Sequence, residues 1–235
     1  MRTRVLIPEQ MDDPNLDRSK HEQALRGLQR INAWTRNASL VWKHVLAVAA
    51  NIGDQPLRIL DLATGSADIP ISLMKLASSR GIALQIDACD VSEQAISVAT
   101  KNCHAASVEV CLFCLDILRD EIPEQYDVVM CSQFLHHLTE KEAVSVLRKM
   151  KSAATRRVVV VDLERNRMNW LQVWFATRIL TRSDVVHFDG PQSIRAAFTC
   201  TECYTLAQQA GFTNLTIQRQ WPCRFVLVGA IDGTD

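Results

Sequence analysis

The sequence predicts an α/β fold in which a mostly parallel sheet is covered by helices on both faces. Apolar runs rich in Val and Ile, such as 57–62 and 157–162, alternate along the chain with segments of helical periodicity. Strands that are apolar on both faces are typical of a buried parallel sheet. Two runs near the end, 214–220 and 224–228, lie too close together for a parallel crossover, so we predict that they pair antiparallel. These observations indicate a doubly wound, Rossmann-like sheet that ends in an antiparallel hairpin.

The first fifty residues precede the alternating pattern and are predicted to form a helical cap. Ser19 and Glu22 have the spacing of a capping box, and apolar residues follow at helical intervals. A second helix is predicted for 40–50. We therefore divide the chain into an N-terminal helical cap at residues 1–50 and a main domain at residues 51–235.

Each unit of the main domain is predicted to consist of a strand, a short turn and a helix. Capping residues mark two helix starts, because Ser92 precedes one helix and Thr139 forms a capping box with Glu142 at another. Further helices are expected at 69–79, 93–102 and 201–210, and further strands at 83–89, 108–115 and 126–131. The segment at about 164–198 interrupts the alternation, and we predict that this insertion forms a lid over the ligand site.

The charge balance and the apolar pattern limit the classes of partner. The chain has 26 basic and 26 acidic residues, so it lacks the positive field that binds a nucleic-acid backbone, and a small-molecule partner is expected. No stretch has the length and apolar character of a signal-peptide core or of a membrane span. We therefore expect a cytoplasmic protein without a membrane span.

The eight cysteines are spread along the chain, and we expect free, mostly buried thiols instead of disulfides. Cys111 with Cys114, and Cys200 with Cys203, have the C-x2-C spacing of zinc ligands. The two pairs lie far apart in sequence, one in a strand-like run and one at a helix start. Ordinary thiols are therefore favoured over a zinc site, and no metal is predicted.

The residues directly after the strands carry the strongest functional signal, because ligands of open α/β sheets bind at the carboxyl ends of the strands. The turn at 61–68 (DLATGSAD) consists of small residues that let the backbone approach a ligand, although only Gly65 occupies a glycine position. Asp90 ends the second strand, where a carboxylate can accept from both hydroxyls of a ribose or simply favour the dipole of the next helix. Asp116 ends the third strand and can accept from an adenine amino group, with Ile117 packing on the ring.

The run 58–68 resembles the first motif of class I methyltransferases. It is most similar to that of the ubiquinone and menaquinone biosynthesis C-methyltransferases, which also has Ala-Thr-Gly followed by Asp. Asp90, Asp116 and the run 134–138 (FLHHL) fall where that family has its later motifs, whereas Ala67 departs from the glycine of many class I members. The resemblance implies a seven-stranded sheet and S-adenosylmethionine as cofactor, with S-adenosylhomocysteine as its product. The residues predicted to bind it are Asp61, Ala63, Thr64, Gly65, Ser66, Asp68, Asp90, Val91, Asp116, Ile117, Ser132 and Gln133.

The resemblance also implies in-line transfer of the sulfonium methyl to a small acceptor, which is expected to be aromatic and of phenolic or quinol-like character. His136 and His137 follow the fourth strand, where the methyl group is expected. Either one is a candidate base for acceptor deprotonation or an ordinary hydrogen-bonded structural residue. The candidates for acceptor contact in the lid are Arg165, Trp174, His187 and Arg195, for which packing and ordinary ion pairs are the alternatives.

Two other functions are compatible with the sequence. One is an NAD(P)-dependent oxidoreductase, which shares the first half of the fold and an acidic residue after the second strand. The missing second and third glycines of the dinucleotide loop and the terminal hairpin count against it. The other is a non-catalytic regulator that binds S-adenosylmethionine, against which the polar, histidine-bearing lid is a weak argument.

Overall fold

The computed structural model describes residues 1, 3–13, 15–34, 37–50, 52–53, 55–122 and 125–231. Its strands are β1 (Leu57–Leu62), β2 (Leu84–Asp90), β3 (Cys111–Cys114), β4 (Tyr126–Ser132), β5 (Ala154–Leu163), β6 (Asn214–Gln220) and β7 (Arg224–Ala230). They form one sheet in the order β3-β2-β1-β4-β5-β7-β6. The first five strands pair parallel, and β7 pairs antiparallel with both β5 and β6. The predicted mostly parallel sheet with a C-terminal hairpin is confirmed.

Helices connect the strands in the predicted order. They are α1 (Arg18–Trp34), α2 (Asn37–Ala49), α3 (Asp68–Ser78), α4 (Glu93–Ala106), α5 (Glu140–Ala153), α6 (Arg167–Leu180), α7 (Asp184–Ala196) and α8 (Cys200–Gln209). The predicted caps of α4 and α5 are confirmed: the Ser92 hydroxyl accepts from Ala95 N, and Thr139 forms a capping box with Glu142. Residue 51, at which the main domain was predicted to begin, lies outside the described residues.

The predicted capping box at Ser19 is wrong. Helix α1 begins one residue earlier, at Arg18. The carboxylate of Asp17 accepts a hydrogen bond from Lys20 N at 3.1 Å, so it satisfies an amide of the first turn. An Asp just ahead of the helix is an equally good N-cap, and the local sequence offered both choices.

The third strand is shorter than the predicted 108–115 and includes only Cys111–Cys114. Side chains three positions apart on a strand project from opposite faces of the sheet, so Cys111 and Cys114 do not converge on one metal ion. All eight cysteines are free thiols, and only these two are exposed. The expectation of free, mostly buried thiols is confirmed.

The core fills both faces of the sheet. On one face, α5 and α8 pack against the strands through fully or nearly fully buried side chains such as Leu147 and Leu206. On the other face, α2 and α3 do so through Val45 and Leu73. Helix α2, which the sequence assigned to the N-terminal cap, therefore contributes directly to the core of the sheet.

The carboxyl ends of the strands meet where the strand order reverses, between β1 and β4, which is the position of ligand sites in open α/β sheets. Residues 3–13, which we call the N-terminal strap, run along α7 at this edge. The amide of Val5 donates to Arg195 O at 3.1 Å, and the amides of Gln10 and Met11 donate to the carboxylate of Asp189. Among the described residues, no helix has both the length and the apolar character needed to cross a membrane.

Candidate functional site

The loop between β1 and α3, residues 63–67, holds every second residue in the left-handed region. The φ angles of Ala63, Gly65 and Ala67 are 54°, 56° and 59°. A residue with a Cβ atom pays about 1–2 kcal/mol for this conformation, so the two alanines store backbone strain. Strain of this kind is typical of loops that approach a ligand.

Asp90 connects the loops that follow β1 and β2. One of its carboxylate oxygens accepts from Gly65 N at 2.9 Å, and the other accepts from Ser92 N at 3.0 Å. Each carboxylate oxygen can accept more than one hydrogen bond. The neighbouring Val91 is an apolar side chain that is 68% exposed.

Asp61, at the end of β1, is buried beneath the same loop. Burial raises the pKa of Asp61 to about 8, and the negative charges of Asp68 and Asp90 add to the rise against a hydrogen bond from the Thr64 hydroxyl. That hydrogen bond is 2.8 Å long. Carboxylates that disfavour each other's ionisation are stabilised by a nearby positive charge, so this edge of the sheet favours a cationic ligand.

The end of β3 differs in detail from the prediction. The Asp116 carboxylate lies at the sheet edge and accepts from Leu118 N at 3.0 Å. Ile117, which was predicted to pack on an adenine ring, is only 7% exposed and packs into the core. The exposed apolar side chain here is Leu118, at 42%. Leu118 and Val91 are thus exposed apolar side chains in the segments that follow β3 and β2.

Residues at the carboxyl end of β4 contact α2 and β5. The Ser132 hydroxyl accepts from the side-chain amide of Asn37, at the start of α2, at 3.2 Å. Gln133 has a φ of 54°, and its amide donates to Val161 O at 2.8 Å. This edge of the sheet carries carboxylates, a strained loop of small residues and two exposed apolar side chains. These groups fit a positively charged nucleoside such as S-adenosylmethionine.

His136 is buried between two carboxylates. Its Nδ1 lies 2.7 Å from Asp162 Oδ1, and its Nε2 lies 3.6 Å from Glu9 Oε1. Burial alone would lower the pKa of His136, but the charge and hydrogen bond of Asp162, together with Glu9, raise it to about 10. The same contact and the charges of both histidines overcome burial and lower the pKa of Glu9 to about 2. At neutral pH the three groups form a carboxylate–imidazolium–carboxylate network.

A cavity of about 340 Å³ opens beside this network. Its lining residues are Leu6, Ile7, Pro8, Glu9, His136, His137 and Ala196. His137 is half-buried, and its ring centroid lies 4.3 Å from that of His136. The adjacent histidines thus differ in environment, with His136 held in the interior and His137 at the cavity wall.

The same residues bring together groups that can ligate metals. Ligand-type atoms of Glu9, His136 and His137 all lie within 4.8 Å of one another. A metal ion would require His136 as a neutral imidazole, whereas its two carboxylate partners favour the protonated form. The ion-pair network accounts for the arrangement, and the absence of a metal stays a prediction.

The four lid residues predicted to contact an acceptor do not line the cavity. Arg165 is buried and donates to Ala197 O and to Glu202 Oε1, both at 2.6 Å. His187 Nε2 lies 2.9 Å from Thr181 O. Trp174 lies under the guanidinium of Arg178, and Arg195 contacts Gln192. The described contacts of these four residues are within the protein, so a role in acceptor binding stays a prediction that the cavity does not support.

Sequence reasoning missed three residues of the site. Glu9 comes from the strap, far from the strand ends in sequence, and no local pattern pointed to it. Asp162, near the end of β5, was noted only as a strand residue, although its place at a carboxyl end was a usable signal. Leu118 is one position beyond the predicted Ile117, and only the direction of the chain after β3 decides which of the two is buried.

Comparisons with known proteins bear on this geometry. Residues 59–157 match the family described as "Methyltransferase domain". The ribosomal protein L11 methyltransferase of Trichlorobacter lovleyi is 33% identical over 78 residues, which cover 33% of this chain and 24% of that protein. The tRNA1(Val) (adenine(37)-N6)-methyltransferase of Flavobacterium psychrophilum is 33% identical over 85 residues, covering 34% and 35%. The chain spans about a quarter to a third of the length of these curated relatives.

Solved structures extend the similarity over most of the chain. The plantazolicin methyltransferase in complex with S-adenosylhomocysteine has a TM-score of 0.70 at 14% identity and covers 94% of this chain and 91% of its own. Human N-acetylserotonin methyltransferase in complex with S-adenosylmethionine has a TM-score of 0.65 at 15% identity, covering 92% and 56%. The predicted class I methyltransferase fold is confirmed. The comparisons do not confirm the narrower resemblance to quinone-biosynthesis enzymes.

Proposed function

We propose that this chain transfers a methyl group from S-adenosylmethionine to a small phenolic or quinol-like acceptor bound beside His137. The proposal rests mainly on the cavity of about 340 Å³ at the carboxyl end of β4. This volume is in the range of small-molecule pockets, about 300–1,000 Å³. The cavity has an apolar wall from Leu6, Ile7 and Pro8 and a polar wall from the histidines, which suits a ring that carries a hydroxyl group.

The strand ends next to the cavity supply the groups for the cofactor. Asp90 would accept from the ribose hydroxyls, while Val91 and Leu118 would contact the adenine. The negative charge of Asp68, joined by that of Asp61 as the pH rises through its pKa of about 8, would favour the positively charged methionine end. When bound, S-adenosylmethionine supplies an electrophilic methyl group on its sulfonium sulfur.

His137 is the residue that we assign to proton removal from the acceptor. An imidazole at the cavity wall can take the proton of a phenolic hydroxyl, which raises the nucleophilicity of the oxygen and of the ring carbons conjugated with it. His136 does not suit this task, because Asp162 and Glu9 raise its pKa to about 10 and it already holds a proton at neutral pH. Its place in the network instead fixes the strap and the cavity wall.

The test combines cofactor binding with turnover. Wild-type protein is titrated calorimetrically with S-adenosylhomocysteine, and a panel of phenols and quinols is then assayed for methylated product by mass spectrometry. For an acceptor that reacts, replacing His137 with Ala is expected to lower kcat by about 10²–10⁴-fold while S-adenosylhomocysteine affinity is retained. His104→Ala is the matched control, because His104 is exposed on α4, and it should leave kcat unchanged.

Each outcome identifies the part of the proposal that fails. Absence of S-adenosylhomocysteine binding would contradict the methyltransferase assignment. Binding without turnover of any phenol or quinol would contradict the acceptor class and leave the cofactor assignment in place. Unchanged kcat in the His137 variant would remove this residue from the mechanism.

A further inference from the structure

Helix α6 has two apolar faces, and among the described residues only one of them is packed against the rest of the chain. Trp170 and Val173 on the inner face pack against a buried cluster that includes Leu163 and Ile194. Gly190 of α7 permits this close packing, because a Cβ atom there would lie 2.7 Å from Thr177 Cγ2 and 3.1 Å from Val173 Cγ1. The inner face of α6 is thus fully committed to α7 and the sheet.

The opposite face carries a continuous apolar stripe. Met168, Leu171, Phe175 and Ile179 are 63%, 44%, 52% and 78% exposed. Their spacing of three, four and four residues places them in one line along the helix. Large apolar side chains scattered singly are common on protein surfaces, but a continuous line of four indicates a surface that is covered by a partner.

The charged residues of α6 and its flanks, residues 165–183, have one sign. Arg167, Arg178 and Arg182 are exposed, and the sequence has no Asp or Glu between Glu164 and Asp184. None of the three arginines forms an ion pair with a described residue; Arg178 donates to Trp174 O and its guanidinium lies over that indole ring. An apolar line flanked by arginines and an aromatic residue is the pattern of helices that lie in the interface of an anionic membrane.

We propose that α6 docks this chain on the surface of an anionic lipid bilayer, with its stripe inserted among the acyl chains and its arginines at the phosphate groups. The charges argue against a second copy of the chain as the occupant. A twofold interface would bring the same face of each copy together, so the arginines of one helix would face those of the other and repel them. An anionic bilayer matches both the apolar line and the positive flank.

Vesicle sedimentation with the full chain tests this proposal independently of methyl transfer. The probes are vesicles of phosphatidylcholine alone and vesicles of phosphatidylcholine mixed with phosphatidylglycerol. We expect binding to the mixed vesicles that weakens as salt is added, and much weaker binding to the neutral ones. The paired change Phe175→Ser with Ile179→Ser should lower the partition coefficient at least about tenfold, whereas Phe175→Leu with Ile179→Leu should retain it.

Charge reversals separate the two components of binding. Arg167→Glu, Arg178→Glu and Arg182→Glu together should lower binding to the mixed vesicles by about fivefold per residue. Lys101→Glu with Lys141→Glu, at exposed positions on α4 and α5, is the matched control and should have little effect. Circular dichroism and thermal melting establish that each variant is folded.

Three results would overturn the proposal. The first is no binding of the wild type to the mixed vesicles, and the second is equal binding of the serine and leucine pairs. The third is a wild-type protein that does not bind vesicles but forms a concentration-dependent dimer, which the serine pair abolishes. That result would assign the stripe to self-association. None of these results bears on methyl transfer, so failure here and failure of the proposed function are distinguishable.

Discussion

Asp90→Asn is the most informative single change for the cofactor site. The substitution keeps the size of the side chain and removes its charge. In the structure both oxygens of Asp90 accept backbone hydrogen bonds, at 2.9 Å from Gly65 N and 3.0 Å from Ser92 N. An asparagine can accept only through its one oxygen, so its NH2 group must face either an amide donor or a ribose hydroxyl.

The expected loss of affinity follows from the bonds that the charge supports. Hydrogen bonds to a charged group contribute about 1.5–3 kcal/mol. Loss of one such contribution to the ribose lowers S-adenosylhomocysteine affinity by about 10- to 150-fold. Because one backbone bond is also lost, the free energy of unfolding should fall as well, and an alanine variant would confound the two effects more severely.

Urea denaturation of each variant measures its stability. Calorimetric titration of the folded protein with S-adenosylhomocysteine then measures binding separately. Asp87→Asn is the matched control, since Asp87 lies on the same strand but before its carboxyl end. The Asp87 carboxylate accepts a hydrogen bond of 3.0 Å from the Tyr126 hydroxyl. It should leave affinity unchanged. A folded Asp90→Asn protein with wild-type affinity would refute the assignment of Asp90 to the ribose.

Two further predictions concern the same edge of the sheet. Because burial and neighbouring carboxylates raise the pKa of Asp61 to about 8, its negative charge appears only as the pH rises through that value. Calorimetry from about pH 6 to about pH 9 should therefore show that S-adenosylmethionine affinity rises with pH in the wild type and stays constant in Asp61→Asn. An equal rise in Asp61→Asn would exclude Asp61 as the source of the pH dependence. Ala67 has a φ of 59°, so Ala67→Gly should raise the free energy of unfolding by up to about 1 kcal/mol, whereas Ala99→Gly inside α4 should lower it by at least about 1 kcal/mol. Urea denaturation measures both, and a destabilised Ala67→Gly protein would contradict the strain argument.

The order of strands and helices could be predicted because it depends on local patterns. The apolar run 57–62 coincides with β1, since a strand buried on both faces must be apolar along its length. The predicted run 214–220 coincides with β6, which lies at the edge of the sheet and has exposed residues along its length. The carboxyl-end residues Asp61 and Asp90 could be placed for a related reason, because parallel strands bring their ends to one edge whatever packs elsewhere. The antiparallel hairpin followed from the short distance between its two strands.

The partners of His136 and the free face of α6 depended on the tertiary structure. Glu9 reaches His136 because the strap lies along α7, and no local spacing encodes a contact between residues so far apart in the sequence. Trp174 of α6 was predicted to contact the acceptor, but the sequence did not show which face of this helix is buried: Trp170 packs inward, and Phe175 is half-exposed. Sequence periodicity identifies the apolar faces of a helix, but only the packing of neighbouring elements decides which face is buried. Ile179 is left 78% exposed because α7 and the sheet occupy the other side of α6.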